Sequence, residues 1–356
     1  MQLEAHIDRV VNRAVAFYRY RKTDPGHFLI HANIPADGPA LPPLCDFDLD
    51  AQLTDWLDLT LEAARPGWRV KDGLEDDSIP AICPRFGIAE HSAWLGMDVR
   101  LQETTCLPIP VVHTPDDLSR LQRSEETRWF RYMKSGYEHL RSRQDGSFVL
   151  SVRGTMAPMD IANAVRGDEL FVDFIAQPDF CHALMARLVE AIRWYYDHLV
   201  SWATDIAGGR VFSYSGGWMP PNTIGHLSND TAMLCSPSVY EQFGYPYESR
   251  LVAPYEQVFY HVHNQLMHFV PRLAALPRLA LLEVAADPKT TPPIEDLERI
   301  LAATGSANLM LYADSDQVRK HMDGMRNRNV FLHVACEDRA DAEDVVAFVR
   351  DRSNPL

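Results

Sequence analysis

The sequence is poor in the features that most quickly assign a chain. No run approaches the ~18 uninterrupted apolar residues needed to span a bilayer, so no membrane span is expected. The start, MQLEAHIDRVVNRAVAFYRYRK, is amphipathic and has no apolar signal core, which argues against export. The six cysteines, Cys45, Cys83, Cys106, Cys181, Cys235 and Cys336, are scattered and form no CxxC pair. They are expected as reduced thiols in the cytoplasm rather than as a disulfide framework. Basic residues are outnumbered, 34 against 49 acidic, for a net charge of −15. That balance excludes sequence-independent binding to nucleic acid or to an anionic membrane. No internal repeat and no low-complexity segment is present, and no glycine-rich phosphate fingerprint follows any expected strand.

What is present is an ordinary globular composition, 46% hydrophobic and 23% charged over 356 residues. This suffices for a β/α barrel of ~250 residues plus an extension. The chain is organised around Gln257–Pro288, which reads strand, helix, strand. Val258, Tyr260 and Val262 share one face of the first strand, and Phe259, His261 and His263 share the other, because side chains in a strand alternate. Leu279–Ala285 is a short apolar run, the mark of a strand covered on both faces. A pair of imidazoles at the carboxyl end of a buried parallel strand is where a β/α barrel keeps its chemistry.

Elsewhere, residues 1–22 and Ala51–Ala64 read as helices, Phe28–Ile34 as a strand, and residues 35–48 as a loop. Residues 1–70 are expected to form a helical N-terminal extension and residues 71–356 the barrel. Ile79–Leu101 reads as strand, glycine turn, short helix and strand, and Pro115–Arg143 as one long helix. Strand and helix then alternate. Ser147–Arg153, Arg210–Ser215, Ala307–Ala313 and Val330–Ala335 are further strands. Gly216–Asp230 is read as a loop, and Ser236–Val252 as a helix with Ser236 at its cap and Pro237 at its first position. Strands each followed by a helix give a parallel sheet. The expected fold is therefore α/β, a (β/α)8 TIM barrel, with a doubly wound sheet as the alternative.

In a barrel the strand ends meet around one mouth. They deliver Tyr214, Ser215 and Trp218, then His261 and His263, then Glu283 and Asp287, then Tyr312 and Asp314, and finally His333, Cys336 and Glu337. His261, His263 and Cys336 are zinc ligands by type, with room for an open fourth position. The plainer reading makes the two histidines polar core residues bonded to carboxylates, and Cys336 a small buried hydrophobe. Glu283 is a ligand, an acceptor for a histidine N–H, or a barrel-layer residue. Glu283 and Tyr214 are the catalytic candidates; Trp218, Ser215, Asp230 and His91 are the substrate-binding candidates. The basic segment Tyr18–Lys22 is a solvated helix end or a clamp on an acidic substrate.

Several passages, in this order and spacing, resemble the uroporphyrinogen decarboxylase superfamily. They are PRFGIAEHSAWLGMDVRL within Ile79–Leu101, GTMAPMDIANAVRGDELFVDFIAQP at Gly154–Pro178, LSNDTAMLCSPSVYEQFGYP at Leu227–Pro246, HVHNQLMHFVPRLAAL from His261, and NVFLHVACEDRADAEDVVAFV at the end. The resemblance implies the barrel fold and two branches of activity. One branch decarboxylates a tetrapyrrole, using an arginine-rich N-terminal loop and an aspartate. Here Phe86-Gly87-Ile88 stands at the aspartate's place, and no such loop is visible near Arg19–Ile34. The other branch moves a methyl group from a corrinoid protein to a thiol, with zinc held by an HxC pair and a late cysteine. His261 and Cys336 match that pattern, and His263 stands in for the HxC cysteine. The resemblance thus implies a zinc-dependent methyltransferase with a corrinoid as methyl donor or acceptor. Its partners would be a small-molecule substrate and a corrinoid protein, with a homodimer allowed. A decarboxylase acting on a carboxylate and a non-catalytic corrinoid- or tetrapyrrole-binding barrel are the alternatives.

Overall fold

The computed structural model describes residues 2–20 and 23–354. Eight strands pair in parallel: β1 (Phe28–Asn33), β2 (Ala81–Ile82), β3 (Val149–Leu150), β4 (Thr223–Leu227), β5 (Gln257–His263), β6 (Leu279–Ala285), β7 (Leu309–Asp314) and β8 (Val330–Ala335). Six of them form one continuous sheet in the order β1-β8-β7-β6-β5-β4, while β2 and β3 form a separate pair. Helices follow the strands, among them Leu49–Arg69, Arg128–Ser142, Pro178–Trp202, Tyr245–Val252, Leu297–Ala303, Ser315–His321 and Arg339–Arg352. This is an α/β, TIM-like architecture. The hydrogen-bonded ladder does not run round all eight strands among the described residues; the pair is tied in by Asp77 N–H donating to the Ile30 carbonyl and by a parallel bridge between Val152 and Phe212.

The sheet's register decides what faces the interior. Glu283 lies opposite His261 and Ala285 opposite His263. Glu283 also lies opposite Met310, and Tyr312, two residues on, lies opposite His333, which in turn lies opposite His31. Period-two alternation therefore puts His261, His263, Glu283, Tyr312, His333 and His31 on one face. The other face carries Val258, Tyr260, Val262, Leu282, Val284, Leu309, Leu311, Leu332 and Val334, all buried. Burial on both faces explains why these strands read as nearly continuous apolar runs.

Some expectations change. The range 1–70, expected as a helical extension, supplies β1, which pairs along its whole length with β8. The helix expected over 51–64 runs through Pro66 to Arg69. Pro115–Arg143 is not one helix: a capping box between Thr114 and Asp117 starts a short turn, Pro115–Arg120, the chain turns extended at Leu121, and a second helix spans Arg128–Ser142. The loop expected over 216–230 contains β4, whose five residues are all buried and so show no alternation. Gly225 is required there, because a Cβ would meet the Phe259 carbonyl oxygen at 2.8 Å and the Phe259 Cβ at 2.6 Å. Arg210–Ser215 contributes only Arg210–Val211, paired antiparallel with Trp218–Met219. The helix after Ser236 widens into a π turn over Tyr240–Gly244, just before Pro246, which has no N–H to offer that turn. Among the described residues, no helix is long and apolar enough to cross a membrane.

Candidate metal centre

β5 ends with two imidazoles on one face. Their Nε2 atoms lie 3.2 Å apart, within hydrogen-bond distance when one carries the proton. Two metal–nitrogen bonds of about 2.05 Å at the tetrahedral angle set ligand atoms roughly 3.3 Å apart, so this spacing suits two nitrogens sharing one ion. The Asp230 carboxylate closes the third side, with Oδ1 3.8 Å from His263 Nε2. Ligand-type atoms of Asp230, His261 and His263 all lie within 4.8 Å of one another, as do those of His226, His261 and Glu283. The first group opens to solvent, since the Asp230 side chain is 50% exposed. Two imidazoles and one carboxylate are a donor set for a divalent transition metal with open positions.

Behind the imidazoles stand two more carboxylates. Glu283 Oε2 lies 3.0 Å from His261 Nδ1 and Asp287 Oδ1 lies 3.2 Å from His263 Nδ1. Both contacts fall off the N–H axis, so the two Nδ1 atoms have no in-line acceptor. The two carboxylates therefore act on the rings by charge and proximity rather than through a formed N–H hydrogen bond, with each Nε2 on the side away from them.

Glu283 is the hub of the group and only 3% exposed. His226 Nε2 donates to its Oε2 at 2.9 Å and the Tyr312 hydroxyl to its Oε1 at 2.7 Å. Burial would raise its pKa, but the His226 hydrogen bond and the nearby His226 and His261 imidazoles outweigh burial and hold it well below the usual carboxylate range. Burial likewise opposes a charge on His261. The Glu283 carboxylate, helped by Asp230 and Asp160, overcomes it and raises the His261 pKa. On His226 burial prevails, and its pKa is lowered.

The loop carrying Asp230 is held from two sides. Asp160, in the first turn of the helix Pro158–Arg166, accepts from the backbone N–H of Asp230 at 3.0 Å and of Thr231 at 2.8 Å, and from Ser228 Oγ at 3.2 Å. Asn229 caps the following turn through the Ala232 N–H, and its amide donates to the buried Glu248 at 2.6 Å. Glu248 also receives the hydroxyls of Tyr240 and Tyr260. The backbone that carries the Asp230 side chain is thereby held by buried polar anchors, which is what a ligand position requires.

The remaining candidates divide. Tyr214 stacks on His226 with ring centroids 4.0 Å apart, and its hydroxyl lies 3.0 Å from His91 Nε2. Burial, with Arg153 next, pushes the His91 pKa well down. Glu283, Tyr214, His91, Asp230, His261 and His263 thus form one connected set. Ser215 offers its backbone carbonyl, 3.4 Å from His31 Nδ1, while its hydroxyl is buried in the turn to Gly217. Trp218 is buried in the antiparallel ribbon, and its indole N–H donates to the Ile206 carbonyl at 2.7 Å. Cys336 joins neither ligand group. It follows Ala335, and Ala335 shares the interior parity of His333, so Cys336 falls on the alternate one. Its sulfur sits 4.0 Å from Ser315 Oγ and 3.5 Å from the Val334 carbonyl, and burial pushes the thiol pKa up. The interior position near the end of β8 belongs to His333, whose ring packs on His31 and Tyr312. Of the basic segment Tyr18–Lys22, Arg21 and Lys22 lie outside the described residues.

Two residues of the set, His226 and Asp160, are not singled out by the sequence. His226 sits in TIGHL, a fully buried strand without period. Its one signal is the punctuation around it, Pro220-Pro221-Asn222 before and Ser228-Asn229-Asp230 after. Asp160 shows only as an acid in the first turn of an otherwise apolar helix.

The fold and this group define a parallel α/β, TIM-like chain with a histidine–carboxylate cluster at its strand ends. No family model matches the chain, and no curated protein matches it. Among solved structures, a methyltransferase from Methanosarcina mazei is similar, with TM-score 0.55 and 12% identity, over 96% of this chain and 98% of that one. At that identity the likeness shows the fold.

Proposed function

We propose that the protein is a metal-dependent methyltransferase of the uroporphyrinogen decarboxylase superfamily, moving a methyl group between a corrinoid and a thiol or similar acceptor. The eight parallel strands are read as a closed barrel with the chemistry at its carboxyl end. His261, His263 and Asp230 would hold a divalent ion, zinc by donor type, with Asp230 in the third position expected for Cys336. The carrying observation is the 3.2 Å approach of the two Nε2 atoms, with the Asp230 carboxylate beside them. When bound, such an ion supplies Lewis acidity that lowers the pKa of a coordinated thiol or water.

The chain's own residues have separate tasks in this reading. Glu283 and Asp287 fix the ring orientation of the two histidines. Glu283 stays ionised, so His261 keeps its Nδ1 side towards the carboxylate and its Nε2 side free. Tyr312, 39% exposed and anchored to Glu283, is the partly open aromatic group next to the cluster. Two neutral imidazoles and one carboxylate leave a bound zinc site at about +1, which favours deprotonation of an incoming acceptor over nucleophilicity of the resulting anion.

The test is bound zinc per chain in the wild type and in His263→Ala, with methyl transfer from methylcobalamin to a thiol assayed in parallel. Near-stoichiometric zinc that His263→Ala loses, together with transfer activity, supports the reading. A wild type without bound divalent metal removes the metal centre, and zinc binding without methyl transfer removes the reaction while leaving the centre.

A further inference from the structure

On the β1–β3 side of the interior lies a cavity of about 1560 Å³, which reaches towards the histidine cluster through Tyr214. Its inner wall includes Ser151, Arg153, Ser213 and Tyr214, and its outer part includes Leu41, Arg85 and Ile88. Three observations converge on this space. Arg85 is exposed and its guanidinium has no hydrogen-bond or ion-pair partner among the described residues. Of the other cations of the wall, Arg9 is taken by Glu75, Arg65 by Asp145, Lys71 by Asp76 and Arg153 by Glu90, while Arg69, at the end of the helix Leu49–Arg69, is exposed and likewise has no partner among the described residues. Leu41 and Ile88 line the same cavity while 45% and 43% exposed. Ser151 Oγ, on the inner wall and fully buried, has only the Cys83 thiol as a polar neighbour and no oxygen or nitrogen partner among the described residues.

The backbone around Arg85 is pinned while its head is free. Its carbonyl accepts from Trp56 Nε1 at 3.1 Å. Glu90 holds the N–H groups of Phe86 and Gly87 in the turn just after it. Gly87 adopts φ +126°, where a Cβ would also meet the Cys106 backbone N at 2.5 Å, so the turn admits only glycine. Burial lowers the His91 pKa and raises that of Tyr214, and the Arg85 charge reaches both groups as a minor contribution. A planar guanidinium on a fixed turn is well suited to bidentate capture of a carboxylate.

We infer that this cavity binds an organic carboxylate with an apolar body, its anionic group on Arg85 and its body against Ile88 and Leu41. Tyr214 forms part of the cavity's inner wall and stacks on His226, which donates to Glu283. The cavity that takes the molecule therefore shares the Tyr214 wall with the histidine cluster. The inference goes beyond the metal reading and does not require it, because no contact it invokes is a candidate ligand.

The probe is 4-methoxybenzoate, with 4-methoxybenzamide as its neutral shape analogue and 4-methoxybenzylamine as its cationic one, each titrated calorimetrically. The wild type is expected to bind the benzoate at least tenfold more tightly than the amide or the amine. Arg85→Ala is expected to lose that tenfold preference and Arg85→Lys to keep part of it. Ile88→Asp is expected to weaken the benzoate through the other end of the contact, which keeps the test intact if Arg85→Ala fails to fold. His263→Ala should bind the benzoate as the wild type does, so a failed metal centre and a failed anion site give different results. No measurable binding of the benzoate, equal binding by wild type and Arg85→Ala, or tighter binding of the amine to the acids Asp72 and Glu103 that also line the cavity would overturn the inference.

Discussion

The two sides of the strand-end mouth are built with opposite chemistry. On the β4–β6 side, histidines and carboxylates alternate: His226, Asp230, His261, His263, Glu283 and Asp287 lie in contact distances of 2.9–3.8 Å. On the β1–β3 side the cavity presents a free arginine, Arg85, and exposed aliphatic groups, Leu41 and Ile88. The first side is a place for a cation and the second a place for an anion on an apolar body. They meet at the Tyr214–His226 stack. One interior can keep both because the charges are locally compensated: Glu90 takes the buried Arg153, and Glu283 takes the hydrogen bonds of His226 and Tyr312. Arg85 and the space between His261, His263 and Asp230 are left to be filled from outside.

The comparison breaks most completely if one side loses its cation site. His263→Ala leaves two ligands of three, and bound divalent metal is expected to fall by more than the roughly 10–100-fold that loss of an orienting partner costs. Equilibrium dialysis with zinc reads this directly, while 4-methoxybenzoate binding on the other side stays unchanged. Glu283→Gln is next. It keeps the shape but removes the charge that His226, His261 and Tyr312 share, so metal affinity is expected to fall about 10–100-fold, read by the same dialysis. An unchanged affinity would make Glu283 a packing group only.

A third expected effect sharpens the contrast through acid stability. Burial lowers the His333 pKa to about 4, against ~6.5 in an unfolded chain. Between those values the unfolded chain takes a proton that the folded chain refuses. Stability is therefore full above pH ~6.5 and falls as the pH drops towards 4. His31 and His91, also lowered by burial, act in the same direction. Urea unfolding from pH 7 to 4.5 should show this slope. His333→Asn should make it shallower, by at most ~1.4 kcal/mol per pH unit. The smallest effect is expected for Cys336→Ala: no change in bound metal, and the roughly 0.5–3 kcal/mol typical of a buried substitution. Metal loss in that variant, read by dialysis, would restore the thiolate to the site.

Much of the sheet was legible in the sequence, for a physical reason. β5, β6 and β8 are buried on both faces, so their apolar runs and the alternation of His261 and His263 stand out, and their bounds match the expected ones. β4 was not legible, because five buried residues around a glycine show no alternation. His226 was hidden with it. The place of Cys336 was misread because strand-end residues were counted by proximity rather than by parity: His333 has the interior parity and Cys336, three residues on, does not. Asp230 was read as a substrate contact, and its approach to His263 depends on Asp160 and Glu248, 70 residues before it and 18 after it. No local pattern encodes contacts of that separation. Arg85 left no sequence signal either, since a free arginine and a paired one read alike.

The most direct test of the metal centre is the absorption spectrum of the protein loaded with cobalt(II) in place of zinc. With His261, His263 and Asp230 as ligands, d–d bands of a four- or five-coordinate ion should appear without a thiolate-to-cobalt charge-transfer band. They should vanish in His263→Ala, weaken in Asp230→Ala and persist in Cys336→Ala. A thiolate charge-transfer band abolished by Cys336→Ala, or a wild type that binds no cobalt, would contradict the account.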